Sequence, residues 1–248
     1  MSSDGCPSRV RVSKFLPAVD VSSDGAVGPG RRCRAFGLAR GYFDEGVHPD
    51  VAKAIDAAAE VLARVGFEVV EIPVPAELLA EVAELHPLVM KPEGAANHMN
   101  TMRERQDDYT LEVGHRLHAG FFVPAANYIR ALKLRASYLR HFAASVFGAV
   151  DLLLTHVVAI PVPTIAETSG KRGKDHLDMV VALTRNTKIV NYFGLPAMSV
   201  PCGFTESGLP TAFQLIGRPL SEAMLLGAAH RYQISTDWHE RILVAPAG

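Results

Sequence analysis

The stretch from Arg34 to Pro73 constrains the fold more than any other part of this chain. Arg34 to Ala39 reads as a short strand, followed by Gly41-Tyr42-Phe43. His48-Pro49 then opens a helix, with the proline at the first helical position, where its missing N–H costs nothing. Val51, Ile55, Ala59 and Leu62 recur on one face, and Gly66 closes the helix. Phe67 to Pro73 reads as a second strand, ended by proline. Strand, helix and strand in this order predict a crossover unit of an α/β sheet.

The remaining elements follow from the same reasoning. Residues 76 to 122 read as helical pieces broken by Pro87, Pro92 and Gly94. A long helix is predicted from about Pro124 to Phe147. Ile129, Leu132, Leu139, Phe142 and Val146 form its apolar stripe, and Arg130, Lys133, Ser137 and Arg140 a polar one. Asp151 to Thr155 reads as a buried strand feeding a proline-rich loop, Ala159 to Ile165. Residues 166 to 176 are polar and glycine-rich, which predicts a mobile loop. A helix from about Leu177 to Tyr192, strands at Ala197 to Pro201 and Thr211 to Ile216, and a helix capped by Ser221 and running to about Tyr232 complete the set. Residues 1 to 33 hold Ser-Ser-Asp-Gly twice and show little periodicity, so they read as a disordered leader ahead of one folded unit, 34 to 248.

Composition removes several function classes. A chain of 248 residues with 48% hydrophobic content can bury a sizeable core. A net charge of −1 offers no concentrated basic patch, so no nucleic-acid partner is expected. No apolar run approaches the ~20 residues that cross a bilayer, so no membrane partner is expected either. Met1 to Lys14 lacks the apolar core of a signal peptide. Three cysteines, Cys6, Cys33 and Cys202, are odd in number and widely spaced, which argues against a disulfide framework and for a reducing, cytoplasmic compartment.

Familiar chemical motifs are also missing. There is no Gly-x-Ser-x-Gly elbow and no Ser-x-x-Lys. Neither a phosphate loop nor Gly-x-Gly-x-x-Gly is found, so no cofactor is implied. His115-x-x-His118 could set two imidazoles on one helical face, but no third ligand has recognised spacing, so no metal site is assigned. Cys202 reads as a buried, inert thiol.

The C-terminal third carries a more specific pattern. Residues 191 to 203 read Asn-Tyr-Phe-Gly-Leu-Pro-Ala-Met-Ser-Val-Pro-Cys-Gly. Gly208-Leu209-Pro210, Gln214-Leu215-Ile216-Gly217-Arg218-Pro219 and Asp237-Trp238-His239 follow. Upstream stand Arg40-Gly41-Tyr42-Phe43 and Val150-Asp151-Leu152-Leu153-Leu154-Thr155. In order and spacing these blocks closely resemble the C-terminal half of the amidase signature family, from about residue 34 to 241. The resemblance implies a partial α/β/α layered mixed sheet and amide C–N hydrolysis.

That chemistry uses a serine nucleophile, a second serine that relays its proton, and a lysine kept neutral by its surroundings, beside backbone N–H groups that stabilise an oxyanion. In the family the serines come from a Gly-Gly-Ser-Ser-Gly-Gly-Ser run. This sequence contains no such run. Its serine pairs, Ser2-Ser3 and Ser22-Ser23, lie in the leader, and none of its seven lysines follows a buried strand. Lys174-Asp175 and Ser169-Gly170-Lys171 read as loop residues, and Ser199 as a structural hydroxyl in a strand. No catalytic residue is assigned.

What the resemblance leaves is a pocket wall: Thr155, His156, Thr184, Asn191 and Tyr192. His156 replaces a proline of the family pattern. Thr184 stands where the glutamine-using members carry an aspartate, which disfavours glutaminase work and favours broad-range amidase ancestry. The expected protein is thus a truncated or split amidase, inactive alone and acting on a small-molecule amide once completed by an N-terminal half. Its alternatives are a non-catalytic module binding small molecules or partners, and one chain of a two-chain amidase. Such a half should expose sheet edge and apolar face, and so should self-associate.

Overall fold

The computed structural model describes residues 33–168 and 173–241. The predicted crossover is present. Strand β1 (Ala35–Arg40) leads through helix α1 (Pro49–Arg64) to β2 (Glu68–Pro73), and β1 and β2 pair in parallel from Ala35–Glu68 to Arg40–Pro73. His48 caps α1 through its Nδ1, which accepts from the Asp50 N–H at 3.2 Å. Gly66 ends it with φ +91°, a conformation that favours glycine.

Three further strands extend the sheet: β3 (Leu152–His156), β4 (Ala197–Phe204) and β5 (Pro210–Ile216). The order is β2-β1-β3-β5-β4; β3 runs parallel to β1, and β5 is antiparallel to both β3 and β4. Asp151 fixes the β1–β3 register. Its buried carboxylate accepts from the backbone N–H of Arg34 at 2.8 Å and of Ala35 at 3.2 Å, and its own N–H donates to the Ala35 carbonyl at 2.9 Å.

Helices cover both faces. On one, Ile55, Ala58 and Leu62 of α1 and Leu225, Ala228 and Tyr232 of α7 (Glu222–Gln233) pack on Phe36, Leu38, Leu152, Leu154, Phe213 and Leu215. On the other, α2 (Ala76–Glu104), α4 (Ala125–Val146) and α6 (Gly173–Phe193) pack on Ala39, Ile72, Leu153 and Ile216. This is the α/β/α mixed sheet the sequence predicts. Short helices α3 (Leu111–His118) and α5 (Ile165–Thr168) complete the described elements of regular helix. The turn at Ala119–Phe122 packs against α2, where a Cβ on Gly120 would collide with the Lys91 carbonyl.

Four expectations require correction. The expected breaks at Pro87, Pro92 and Gly94 are absent, because α2 runs unbroken across 29 residues. The helix is held by what it packs against, with Leu79, Val82 and Ala95 all buried, and that packing outweighs two missing N–H donors. The inward face of α4 holds Ala131, Phe142 and Val146, while Ile129 is 48% exposed. The small Ala131 lets Tyr192 approach closely enough for its hydroxyl to donate to the Ala131 carbonyl at 2.6 Å. The segment expected to be a loop at 166 to 176 is helical at both ends, in α5 and in the first turn of α6. Ser221 sits at the N-cap of α7, but its hydroxyl donates to the Arg218 carbonyl at 2.7 Å instead of capping. The leader and Ser169-Gly170-Lys171 lie outside the described residues, apart from Cys33.

Candidate functional site

Chain topology singles out one end of the sheet. From β1 the chain crosses to β2 on one side, while β3 lies on the other side of β1. In open α/β sheets, ligand sites form beyond the carboxyl ends of strands at such a switch. Here those ends are Arg40 and His156, followed by the turn Tyr42–Asp44 and the loop from Val157 to Thr164. The His48 N–H donates to the Ala159 carbonyl at 2.8 Å, tying the two connections together.

Helix α6 closes over this end. Arg185 donates to the Tyr42 carbonyl at 2.7 Å and to the Glu45 carboxylate at 2.8 Å, and its guanidinium lies 4.5 Å from the Tyr42 ring centroid. Asn186 is 1% exposed and donates to the His156 carbonyl at 2.9 Å, and its Oδ1 has no hydrogen-bond partner.

Thr155 and His156 point to opposite faces, as strand neighbours must. His156 is 3% exposed, with Nδ1 free of hydrogen bonds and 3.8 Å from Asp44 Oδ1. Burial holds its pKa below the ordinary value, with Asp44 pulling the other way and Arg40 reinforcing the shift. Arg40 in turn bonds Glu71 at 2.5 Å and lies 3.6 Å from Asp56 of α1. Thr155 faces the α2/α4/α6 side. There it lies opposite Gln214, whose Nε2 donates to the Thr155 hydroxyl at 3.2 Å, and Gln214 lies opposite Ser199. A polar row, Thr155–Gln214–Ser199, therefore crosses three strands and ends on an exposed serine.

The other three wall residues are elsewhere. Thr184 spends its hydroxyl on the Val180 carbonyl at 2.6 Å. Asn191 and Tyr192, at the end of α6, line a cleft of about 400 Å³ with His86, Glu93 and Asn97 of α2 and Arg135 of α4. Tyr192 contributes ring rather than hydroxyl, because its O–H is committed to Ala131. Of the five sequence-assigned residues, two lie at the carboxyl end of β3 and two in this cleft, and Thr184 belongs to neither pair.

Several polar groups at these places were missed by sequence reasoning. His86 is 9% exposed and its Nδ1 has no partner. Burial lowers its pKa, and Lys188 adds to the effect. Lys188 is itself held below the usual lysine range, first by burial and then by Arg116, against Glu84. Sequence reasoning set the lysines aside because none follows a buried strand, and desolvation of a lysine within a helix leaves no sequence signal.

The remaining candidates are placed without chemistry. Lys174 pairs with Asp178 at 2.5 Å on an exposed turn of α6. Burial pushes the Cys202 thiol up to about 11 and Cys33 to about 12, the range of unreactive thiols. His118 Nδ1 lies 2.9 Å from the Gly114 carbonyl, and among the described residues no three His, Cys, Asp or Glu side chains converge as metal ligands. Among them, too, no helix is long and apolar enough to cross a membrane.

Fold and site together define an α/β protein with a closed switch-point end and a polar cleft on one helical layer. A family model described as amidase matches residues 21–226, beginning inside the stretch expected to be a leader. An amidase from Pseudomonas putida is 33% identical over 220 residues, covering 87% of this chain and 46% of the relative. A glutamyl-tRNA(Gln) amidotransferase subunit from Thioalkalivibrio sulfidiphilus is 34% identical over 224 residues, covering 84% and 46%. Among solved structures, a vestigial protein complex tied to the origins of an s-triazine catabolic enzyme aligns with TM-score 0.66 and 26% identity, over 82% of this chain and 43% of that one. The chain belongs to the amidase signature family. It spans about half the length of the curated relatives it matches.

Proposed function

We propose that this chain supplies one half of an amidase, the substrate-facing wall, and does not hydrolyse amide C–N bonds alone. What supports this reading is the absence of the family's nucleophile run from this sequence. The sequence has no Gly-Gly-Ser-Ser-Gly-Gly run. Among the described residues the serine hydroxyls that make hydrogen bonds are engaged with backbone carbonyls or with Thr205, not with lysine or histidine. A hydroxyl without an adjacent base is a weak nucleophile. In this reading the two serines and the neutral lysine come from the other half, and the substrate is a small-molecule amide. Position 184 offers no carboxylate for an ammonium, which supports a general amidase over a glutaminase.

Amide hydrolysis on an aryl-amide panel tests this, with intact mass recorded after a serine-reactive probe. The chain alone should give no turnover and no adduct. Co-expressed with the part of the Pseudomonas putida amidase outside the matched 220 residues, it should give turnover and one adduct on that second polypeptide. Turnover with an adduct on this chain alone would refute the reading. A non-catalytic binding role is favoured instead if amides protect the cleft of the isolated chain and the pair remains inactive.

A further inference from the structure

The cleft between α2, α4 and the end of α6 gathers polar side chains that bond to nothing in the protein. Asn97, Arg135 and Asn191 line it, and among the described residues none of their side chains makes a hydrogen bond or an ion pair. His86 lines it too, is 9% exposed, and leaves a buried Nδ1 without a partner. Buried polar atoms in folded proteins are normally bonded, so an orphan nitrogen in the wall of a cleft points to a ligand. Burial keeps that imidazole in its neutral form at neutral pH.

The arginine is seated from behind. Its guanidinium fills the space that a side chain at position 194 would need, and Gly194, with φ +67°, leaves that space open. The glycine that ends α6 therefore also fixes the cation at one end of the cleft. The acidic group stands at the other end. Glu93 accepts from the Tyr128 hydroxyl at 3.2 Å, and Tyr128 and Arg135 lie about two turns apart on α4, or about 10 Å along its axis. Between these ends Val89, Met90 and the ring of Tyr192 supply apolar wall. At about 400 Å³ the cleft falls within the size range of small-molecule sites.

We propose that this cleft selects amides that carry a single carboxylate, that is N-acyl amino acids, and that Arg135 is the specificity-determining residue that reads the carboxylate. This rests on the amidase reading above and names the substrate class of the same wall. A guanidinium matches a carboxylate with two parallel N–H donors. Asn97 and Asn191 each offer a donor and an acceptor, the complement of the N–H and C=O of a secondary amide. The apolar wall takes the acyl group. Glu93 opposes a second carboxylate at the far end, so monocarboxylates are favoured over dicarboxylates.

Calorimetric titration of the full chain tests this, with N-benzoylglycine as probe and neutral N-benzoylglycinamide as its control. N-benzoylglycine should bind 1:1 and at least about tenfold more tightly than the control, the size of a charge-assisted hydrogen-bonded pair. Arg135→Gln should erase that preference while leaving the weak binding of the control in place. N-benzoylaspartate should bind more weakly than N-benzoylglycine, and Glu93→Gln should narrow the gap. The ring signals of His86, assigned with His86→Gln, should shift at saturation. Equal affinity for the acid and its neutral amide, no binding at millimolar ligand, or unshifted His86 signals would each overturn the proposal. So would an Arg135→Gln chain that weakens both ligands alike, which would make the arginine a packing residue. Should that variant fail to fold, the comparison of acid and neutral amide on the unaltered chain decides alone. Turnover of neutral aryl amides by the pair co-expressed with the Pseudomonas putida segment, with no preference for the acid in the cleft, would remove this inference and leave the amidase reading standing. Selective binding of N-benzoylglycine in a pair with neither turnover nor adduct would do the reverse.

Discussion

The β2-β1-β3 flank of the sheet and the β4 edge meet different surroundings. On the first flank, Phe36 and Leu38 pack under α1, while Leu153 packs under the α2/α4/α6 layer. At β4 only the α1/α7 side is covered, and Ala197 and Ser199 face outward. A strand buried on both faces draws stability from every side chain. A strand buried on one draws it from alternate residues, and the others are free to serve binding. The difference teaches where this chain spends residues on its own stability and where it does not.

A large loss of stability is expected under the doubly covered flank. Phe142 of α4 stacks on Phe193 of α6 at 5.1 Å between centroids and is 1% exposed. Phe142→Ala should cost about 3–5 kcal/mol, read as a drop in the urea midpoint at constant slope. A loss under about 1 kcal/mol would mean that this layer does not hold the sheet, and the contrast between the flanks would collapse.

Next comes the pin between β1 and β3. Asp151→Ala leaves the Arg34 and Ala35 N–H groups without their side-chain acceptor, at a cost of about 1–3 kcal/mol. Asp151→Asn, which keeps one acceptor oxygen, should recover part of the loss. Equal destabilisation by both would show that the charge matters more than the hydrogen bonds.

A pH series sharpens the comparison further. His156 and His86 are both buried with lowered pKa. On acidification the unfolded chain takes up their protons first, beginning near the ordinary histidine value of about 6.5. Stability should therefore be fully present above that pH and fall as the pH drops through it toward the folded-state values. Urea midpoints at pH 8 and pH 5.5 measure the slope, and His156→Gln should flatten it. An unchanged slope in that variant would place the proton uptake elsewhere.

How much of this was legible in the sequence depends on the range of the interaction. Gly66 was readable because helix stops are local. Gly194 takes φ +67°, and its N–H and that of Leu195 both donate to the Val190 carbonyl, which turns the Gly-Leu-Pro-Ala block into a helix end followed at once by β4. The crossover was readable from periodicity alone. Pro87 and Pro92 misled because the contacts that carry α2 past them come from α4 and α6, far away in sequence. The α4 stripe was misplaced at Ile129 because Ala131 faces inward for the sake of Tyr192, 61 residues on. At the site, Thr155 and His156 were found by family pattern, yet which helical layer each one faces follows only from how the strands pair. His86, Lys188 and Asp44 carry no local signal, since their interest comes from burial and from each other.

The smallest effect is the most discriminating. Ser199→Lys places a charged side chain on the exposed face of β4, opposite buried Gln214. In the isolated chain this should shift stability by no more than about 0.5 kcal/mol, the range of surface substitutions that disturb no buried group. The same lysine introduced at Leu153, on the same face two strands away and 0% exposed, would bury an unpaired charge and should prevent folding. If Ser199→Lys instead lowers the urea midpoint by more than about 1 kcal/mol, the β4 face is already covered in solution, and the dependence of that midpoint on protein concentration then identifies the cover. A midpoint that rises with concentration points to a second copy of this chain. One that does not points to a segment of the chain itself.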